Sequence, residues 1–379
     1  MNIVRKKDNF NLAAFLRSTL LGIAFTAFFT AGILKYIGTY YASELTESVF
    51  SDENKNANNG VWIEDTSLLA ENTGADTLPE TDTPQGSEPV FIHTLSPEEL
   101  ELQPETDITY ELEAKKVSLT EDDLKQLKDI NYLKRNFYTI DHRTDLLASD
   151  VDVDEFLNMD LSIAKDSGPK ILITHTHSCE MYADSDASKG VSEGIWGVGE
   201  ELKNILENKY GINVMHDTGR YDVVDGRNQI LGAYERMEPA VTKILQENPS
   251  IEVVIDMHRD GVNEDVRLVD DVNGKTCAKI MFFNGLCRLN ENGSLNNIDS
   301  LPNPYLRDNL AFSFNMQVTA NKLYPDFTRK IYLNAYRYSL NMKPKSLLIE
   351  VGAQTNTKQE AKNSMEPLAD ILSRVILAE

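Results

Sequence analysis

The chain has 379 residues, with 60 Asp and Glu against 37 Lys and Arg and a formal net charge of -23. That length allows one large or two ordinary domains. The acidic balance argues against nucleic acid and against electrostatic docking on anionic lipid, since both reward basic patches.

Residues 1–17 carry Arg5, Lys6, Lys7 and Arg17 with few acids, and residues 18–38 form an apolar run interrupted only by Lys35. Helical rise makes such a run long enough to cross a hydrocarbon core of about 30 Å, with Lys35 near enough to its end to snorkel. The sequence therefore predicts a cytoplasmic tail at 1–17, a single transmembrane helix over 18–40, and export of everything beyond. A cleaved signal peptide is the competing reading. Tyr36, Tyr40 and Tyr41 look more like an interfacial belt than a small-residue cleavage site. Residues 41–118 are acidic, polar and Pro/Gly-bearing, unable to bury enough apolar surface to offset chain ordering. They read as a flexible spacer with a candidate docking segment at 88–102 and an isolated His93. Residues 119–168 read as a folded lead-in segment in which Thr120 and Asp123 cap a helix over 121–129 and His142 is a surface histidine.

From 169 to 379 strands and helices alternate. Predicted strands lie at 171–175, 212–216, 251–257, 279–283 and 346–352. Predicted helices lie at 197–210, closed by Gly211, then at 228–247, 306–324 and 358–377, the last opened by a Thr357/Glu360 capping box. This spacing means an α/β domain, a mostly parallel sheet with helices on both faces.

Within it, KILITHTHSCE (170–180) runs from a buried strand into His175, His177 and Glu180, and six histidines serve the whole chain. A second apolar strand delivers His258, Arg259 and Asp260, and a third carries Glu350 in its interior. Parallel neighbours bring such ends to one rim, where open α/β sheets bind ligands. Two imidazoles, one carboxylate and an open position make the ligand set of catalytic zinc, which lowers the pKa of water. His177, Glu180 and His258 are the predicted ligands, and His175 is an alternative ligand or a supporting donor. Glu350, costly as a buried charge unless used, is the candidate general acid/base. Arg259 is a candidate clamp for a carbonyl or carboxylate, or else a salt-bridge partner of Asp256 or Asp260. Asn334, Arg337, Tyr338 and Asn341 are candidate substrate-facing groups or a plain capped loop. The three cysteines, Cys179, Cys277 and Cys287, with no CxxC, read as free thiols, a Cys277–Cys287 pair being the alternative. HExxH, GxSxG and a complete phosphate loop are absent. By residue type this is a metal-dependent hydrolase with a substrate outside the cytoplasm.

Five motifs in order resemble the stage II sporulation protein P family and, more distantly, zinc-dependent N-acetylmuramoyl-L-alanine amidases. They are ILITHTHSCEMY (171–182), VGEELKNILENKYGINVMHD (198–217), the element at 234–236, VVIDMHRDG (253–261) and LLIEVGAQTNTKQEA (347–361). The resemblance covers roughly 120–379. It implies a peptidoglycan hydrolase that strips stem peptides from glycan, with cross-link endopeptidase activity as a further candidate. It also implies a membrane complex with a lytic transglycosylase and a third sporulation membrane protein during engulfment, at the sporulation septum and engulfing membrane. Carried over, His177 and His258 match metal-ligand positions, Glu350 matches the catalytic glutamate, and the HTHxxExY run supports Glu180. Glu193 is a reserve ligand. Two rivals stand beside this reading. A metallocarboxypeptidase-like enzyme would use the same residues with Arg259 on a terminal carboxylate, and a murein-binding scaffold would bind glycan without turnover.

Overall fold

The computed structural model describes residues 116–164, 167–291 and 293–377. The transmembrane helix predicted over 18–40, nearly all of the predicted spacer and His93 lie outside the described residues. Among the described residues no helix is long and apolar enough to cross a membrane.

One sheet of seven strands organises the fold: β1 Tyr138–Ile140, β2 Ile171–Thr174, β3 Val214–His216, β4 Val253–Asp260, β5 Ile280–Gly285, β6 Ile331–Asn334 and β7 Lys345–Ala353. Their spatial order is β1-β6-β5-β7-β4-β2-β3. Every neighbouring pair is parallel except β5 and β7. The sheet is thus two parallel blocks running in opposite senses, β7-β4-β2-β3 and β5-β6-β1. The turnaround has a local cause. A parallel return needs a crossover, usually helical, whereas β4 and β5 are joined through a hairpin pairing Val269–Val272 with Lys275–Ala278. The chain therefore re-enters the sheet at the rim where β4 left it.

Helices lie on both faces, unevenly. Along a strand alternate side chains point to opposite faces, and the cores follow that parity. Ile171, Ile173, Val253, Ile255, Met257, Phe282, Leu347 and Ile349 share the large cluster with residues of three helices: α4 Ile195–Tyr210, α6 Leu306–Leu323 and α8 Met365–Ile376. The interleaved Leu172 and Val254 pack under α5 Ala233–Glu247, while Met281, Phe283 and Leu348 form a small cluster with Tyr332 and Leu340. Burying each large apolar side chain contributes about 1.5–3 kcal/mol, so the three-helix face carries most of the hydrophobic stabilisation.

The lead-in segment joins the same core. The helices α1 Glu121–Leu127, α2 Ile130–Asn136 and α3 Val153–Asn158 contribute Leu127, Leu133 and Phe156, and β1 pairs with β6. Both predicted capping boxes form. Asp123 N donates to Thr120 Oγ1 at 3.2 Å and Thr120 N to Asp123 Oδ2 at 2.8 Å. Glu360 N likewise donates to Thr357 Oγ1 at 3.2 Å and Thr357 N to Glu360 Oε2 at 3.0 Å. The helix predicted over 358–377 is two, α7 Lys358–Asn363 and then α8, parted at Ser364. The sequence predicts no element at 331–334, where β6 forms; its last residue, Asn334, is one of the candidate substrate-facing groups.

Candidate metal centre

The neighbours β2, β4 and β7 run parallel, so their carboxyl ends share a rim. By parity Asp256, His258 and Asp260 on β4 and Glu350 on β7 share the face of Val254 and Leu348, the face without the three-helix layer. The chain leaving β2 brings His177 and Glu180 to the same place. Glu180 Oε1 lies 3.3 Å from His177 Nδ1 and 3.3 Å from His258 Nδ1. The ligand atoms of His177, Glu180 and His258 all lie within 4.8 Å of one another. The other Glu180 oxygen accepts the backbone N–H of Arg259 at 2.7 Å, which leaves Oε1 aimed between the two imidazoles.

The donor set fits zinc. Two imidazoles and a carboxylate are its usual nitrogen and oxygen ligands, and a histidine ligand generally has a carboxylate behind its other ring nitrogen. Asp256 stands there, with Oδ1 2.9 Å from His258 Nε2, although the approach is out of line and Nε2 makes no hydrogen bond. Asp256 is itself held by the Thr176 backbone N–H at 2.9 Å and by the Thr176 hydroxyl at 2.7 Å. Burial works against charge at all three groups, but their mutual attraction wins. The His258 pKa is held well above the usual imidazole value by Asp256 and Glu180. Glu180 is held well below the usual carboxylate range by His258, His177 and Arg259, and Asp256 falls to about 2 beside His258. A pocket this rich in carboxylate favours a cation.

Glu350 is paired in register with His258 across β7 and β4. Its carboxyl is buried, and Oε2 has no hydrogen-bond partner. Burial, then the neighbouring charge of Asp260, pushes its pKa well above the usual value. Asp260 in turn receives Arg329 Nη1 at 2.6 Å. Glu350 is thus a buried group with high proton affinity beside the cluster, the condition a general acid/base needs.

His175 is not in the cluster. It continues the parity of Ile171 and Ile173, so it lies toward the three-helix face. Nδ1 donates to Met257 O at 2.8 Å, and Nε2 is 2.9 Å from His216 Nε2. Burial, then His216, lowers its pKa to about 4. His216 Nδ1 lies 2.8 Å from Glu200, and Trp196 stacks on the His216 ring.

The Arg259 guanidinium is tied to backbone carbonyls, with Nε donating to Met181 O at 3.0 Å and Nη1 to Asp260 O at 3.3 Å. Glu193 pairs with Lys358 and is not one of the clustered groups. Arg337 and Asn341 both donate to Glu238 of α5, at 2.5 and 2.9 Å, and Asn334 is fully buried. Cys179, Cys277 and Cys287 are all free thiols.

Sequence reasoning missed the supporting part of Asp256. Its signal was the two-residue spacing to His258 in IDMH, which places both on one face of a strand.

A sequence model of the family described as Stage II sporulation protein P matches residues 80–373. The Stage II sporulation protein P of Bacillus subtilis (strain 168) is 21% identical over 221 residues, 54% of this chain and 50% of the relative. The chain thus matches about half the length of that curated relative. Among solved structures, the N-acetylmuramoyl-L-alanine amidase AmiC2 of Nostoc punctiforme is 14% identical with a TM-score of 0.31, covering 56% of this chain and 97% of that one. The CwlD amidase from Clostridioides difficile, in complex with the GerS lipoprotein, is 12% identical with a TM-score of 0.32, covering 54% and 96%.

Proposed function

From the premise that this chain belongs to the stage II sporulation protein P family, we propose that it is a zinc-dependent peptidoglycan hydrolase of the N-acetylmuramoyl-L-alanine amidase type. The observation that carries this reading is the His177, Glu180 and His258 cluster with a buried, unpartnered Glu350 oxygen in register beside it. Zinc held by those three residues would lower the pKa of water and polarise a carbonyl. The remaining work falls to the chain. The Arg259 N–H holds Glu180 in place, Asp256 stands behind His258, and Glu350 takes a proton from water and returns it to the leaving amine.

The metallocarboxypeptidase alternative would need Arg259 to hold a terminal carboxylate, and two of its donors already go to the Met181 and Asp260 carbonyls. In this proposal residues 18–40 anchor the chain, the catalytic part works outside the cytoplasm, and a lytic transglycosylase and a third sporulation membrane protein are its partners. The deciding experiment is mass spectrometry of purified peptidoglycan after digestion, with and without chelator. Free stem peptides beginning with L-alanine, lost on chelation, are expected. Tight binding without any product would reject the enzyme in favour of a scaffold, and release of single carboxyl-terminal residues would favour the peptidase.

A further inference from the structure

Tyr234 is in the first turn of α5, and by sequence it counts as part of that helix's apolar stripe. Its stripe neighbours Ala233, Met237 and Val241 are buried, but Tyr234 is only half-buried. Its ring meets His177 edge-on, with centroids 5.7 Å apart, and meets Tyr338 at 5.5 Å. No described residue hydrogen-bonds to its hydroxyl.

Two devices hold that ring at the site. Arg236 donates to three carbonyls of the preceding loop, to Tyr221 at 2.6 Å from Nε, to Leu231 at 3.0 Å from Nη1 and to Gln229 at 2.5 Å from Nη2. Gly232, at φ 78, makes the left-handed turn into the helix, and a Cβ there would meet Arg236 Nη1 at 2.8 Å. On the other side Tyr338 holds φ 55, a conformation that costs a non-glycine residue about 1–3 kcal/mol. Arg337 and Asn341 offset that cost by gripping Glu238, one turn along α5 from Tyr234.

We propose that Tyr234 is a further catalytic residue, whose hydroxyl donates a hydrogen bond to the oxyanion that develops on the scissile amide's carbonyl oxygen. The inference rests on the amidase reading of the site. In the step, the oxygen of water bonds to the carbonyl carbon while Glu350 takes the proton of that water. The carbonyl π pair moves onto oxygen, where Tyr234 donates without releasing its own proton. The C–N bond then breaks, its electron pair leaves on nitrogen, the carbonyl re-forms, and Glu350 delivers the proton to the amine. An unperturbed phenol has a pKa of about 10, so the hydroxyl is a neutral donor near neutral pH. A preorganised donor of this kind in a partly dry site typically contributes roughly 10²–10³ in kcat.

The test is Tyr234→Phe in the full chain. It should lower kcat by about 10²–10³ with KM changed less than about threefold, and weaken a phosphinate stem-peptide analogue by a similar factor. Zinc content and melting temperature should be unchanged. A kcat within about threefold of an active wild type overturns the role of Tyr234 alone, as does a parallel loss of zinc. A wild-type chain that neither releases stem peptide nor binds the analogue overturns the amidase reading and this role with it.

Discussion

Replacing Glu350 by Gln separates chemistry from stability in one variant. In the native fold burial and Asp260 raise the Glu350 pKa, so the folded chain binds this proton more tightly than the unfolded chain does. The resulting stability is fully present below the unfolded carboxylate pKa and is lost as pH rises toward the folded value. Over that window each pH unit removes up to about 1.4 kcal/mol. The amide of Glu350→Gln has no such proton to lose, so the variant should gain on wild type as pH rises through the window, and the two should converge in acid. Melting curves of both chains from pH 4 upward, with chelator present, read that difference directly. Activity should move the other way, with stem-peptide release falling roughly 10²–10⁴-fold, the usual cost of a lost general acid/base, and zinc content unchanged. Near-wild-type release would refute the proton-transfer role, leaving Glu350 a buried structural acid. Parallel melting curves at every pH would refute the electrostatic argument, and loss of zinc would make Glu350 a ligand.

Other outcomes follow from the same geometry. His177→Ala and His258→Ala should each empty the site on metal analysis, while His175→Ala, outside the cluster, should retain zinc. Full occupancy in His258→Ala would reject the site. Phe314 is fully buried and packs its ring at 5.0 Å from Phe137 and 5.7 Å from Phe156. Phe314→Ala should cost about 3–5 kcal/mol in denaturant unfolding, and a loss below about 1 kcal/mol would contradict the packing described. Thr357→Ala should remove one side of the α7 capping box for about 1 kcal/mol, with hydrogen exchange rising in the first turn of α7.

Much of the site was legible because it grows from two apolar strands. KILIT and VVIDM are long enough runs to identify as buried, and the ionisable groups beyond them then fall on a predictable rim. The separation of His175 from His177 was legible only in part. Parity keeps 175 on the face of Ile173, but β2 ends at Thr174, so nothing in the strand period says where 177 turns. Tyr234 was hidden because an aromatic residue at helical spacing reads as core, and its free hydroxyl appears only once α5 is laid over the sheet. The strand β6 was hidden by its neighbours. Ile331–Asn334 is short and runs into NAYRYSLN, whose polar residues serve Glu238 and the chain fold. The opposed sense of β5 was not legible at all, because strand direction depends on how the intervening 261–279 segment folds.

The register between β4 and β7 determines where this molecule can change in evolution or in the laboratory. His258 and Glu350 are set opposite each other by backbone ladder bonds, so their separation is insulated from the wear of neighbouring side chains. The same arrangement is brittle to length. Adding or deleting one residue ahead of either group, within its strand, turns one of the two to the three-helix face and leaves the other behind. Growth is better placed in the hairpins outside the sheet, those at 223–228, 269–278 and 288–297. New binding contacts can be grafted there while the distance between acid and imidazole stays fixed.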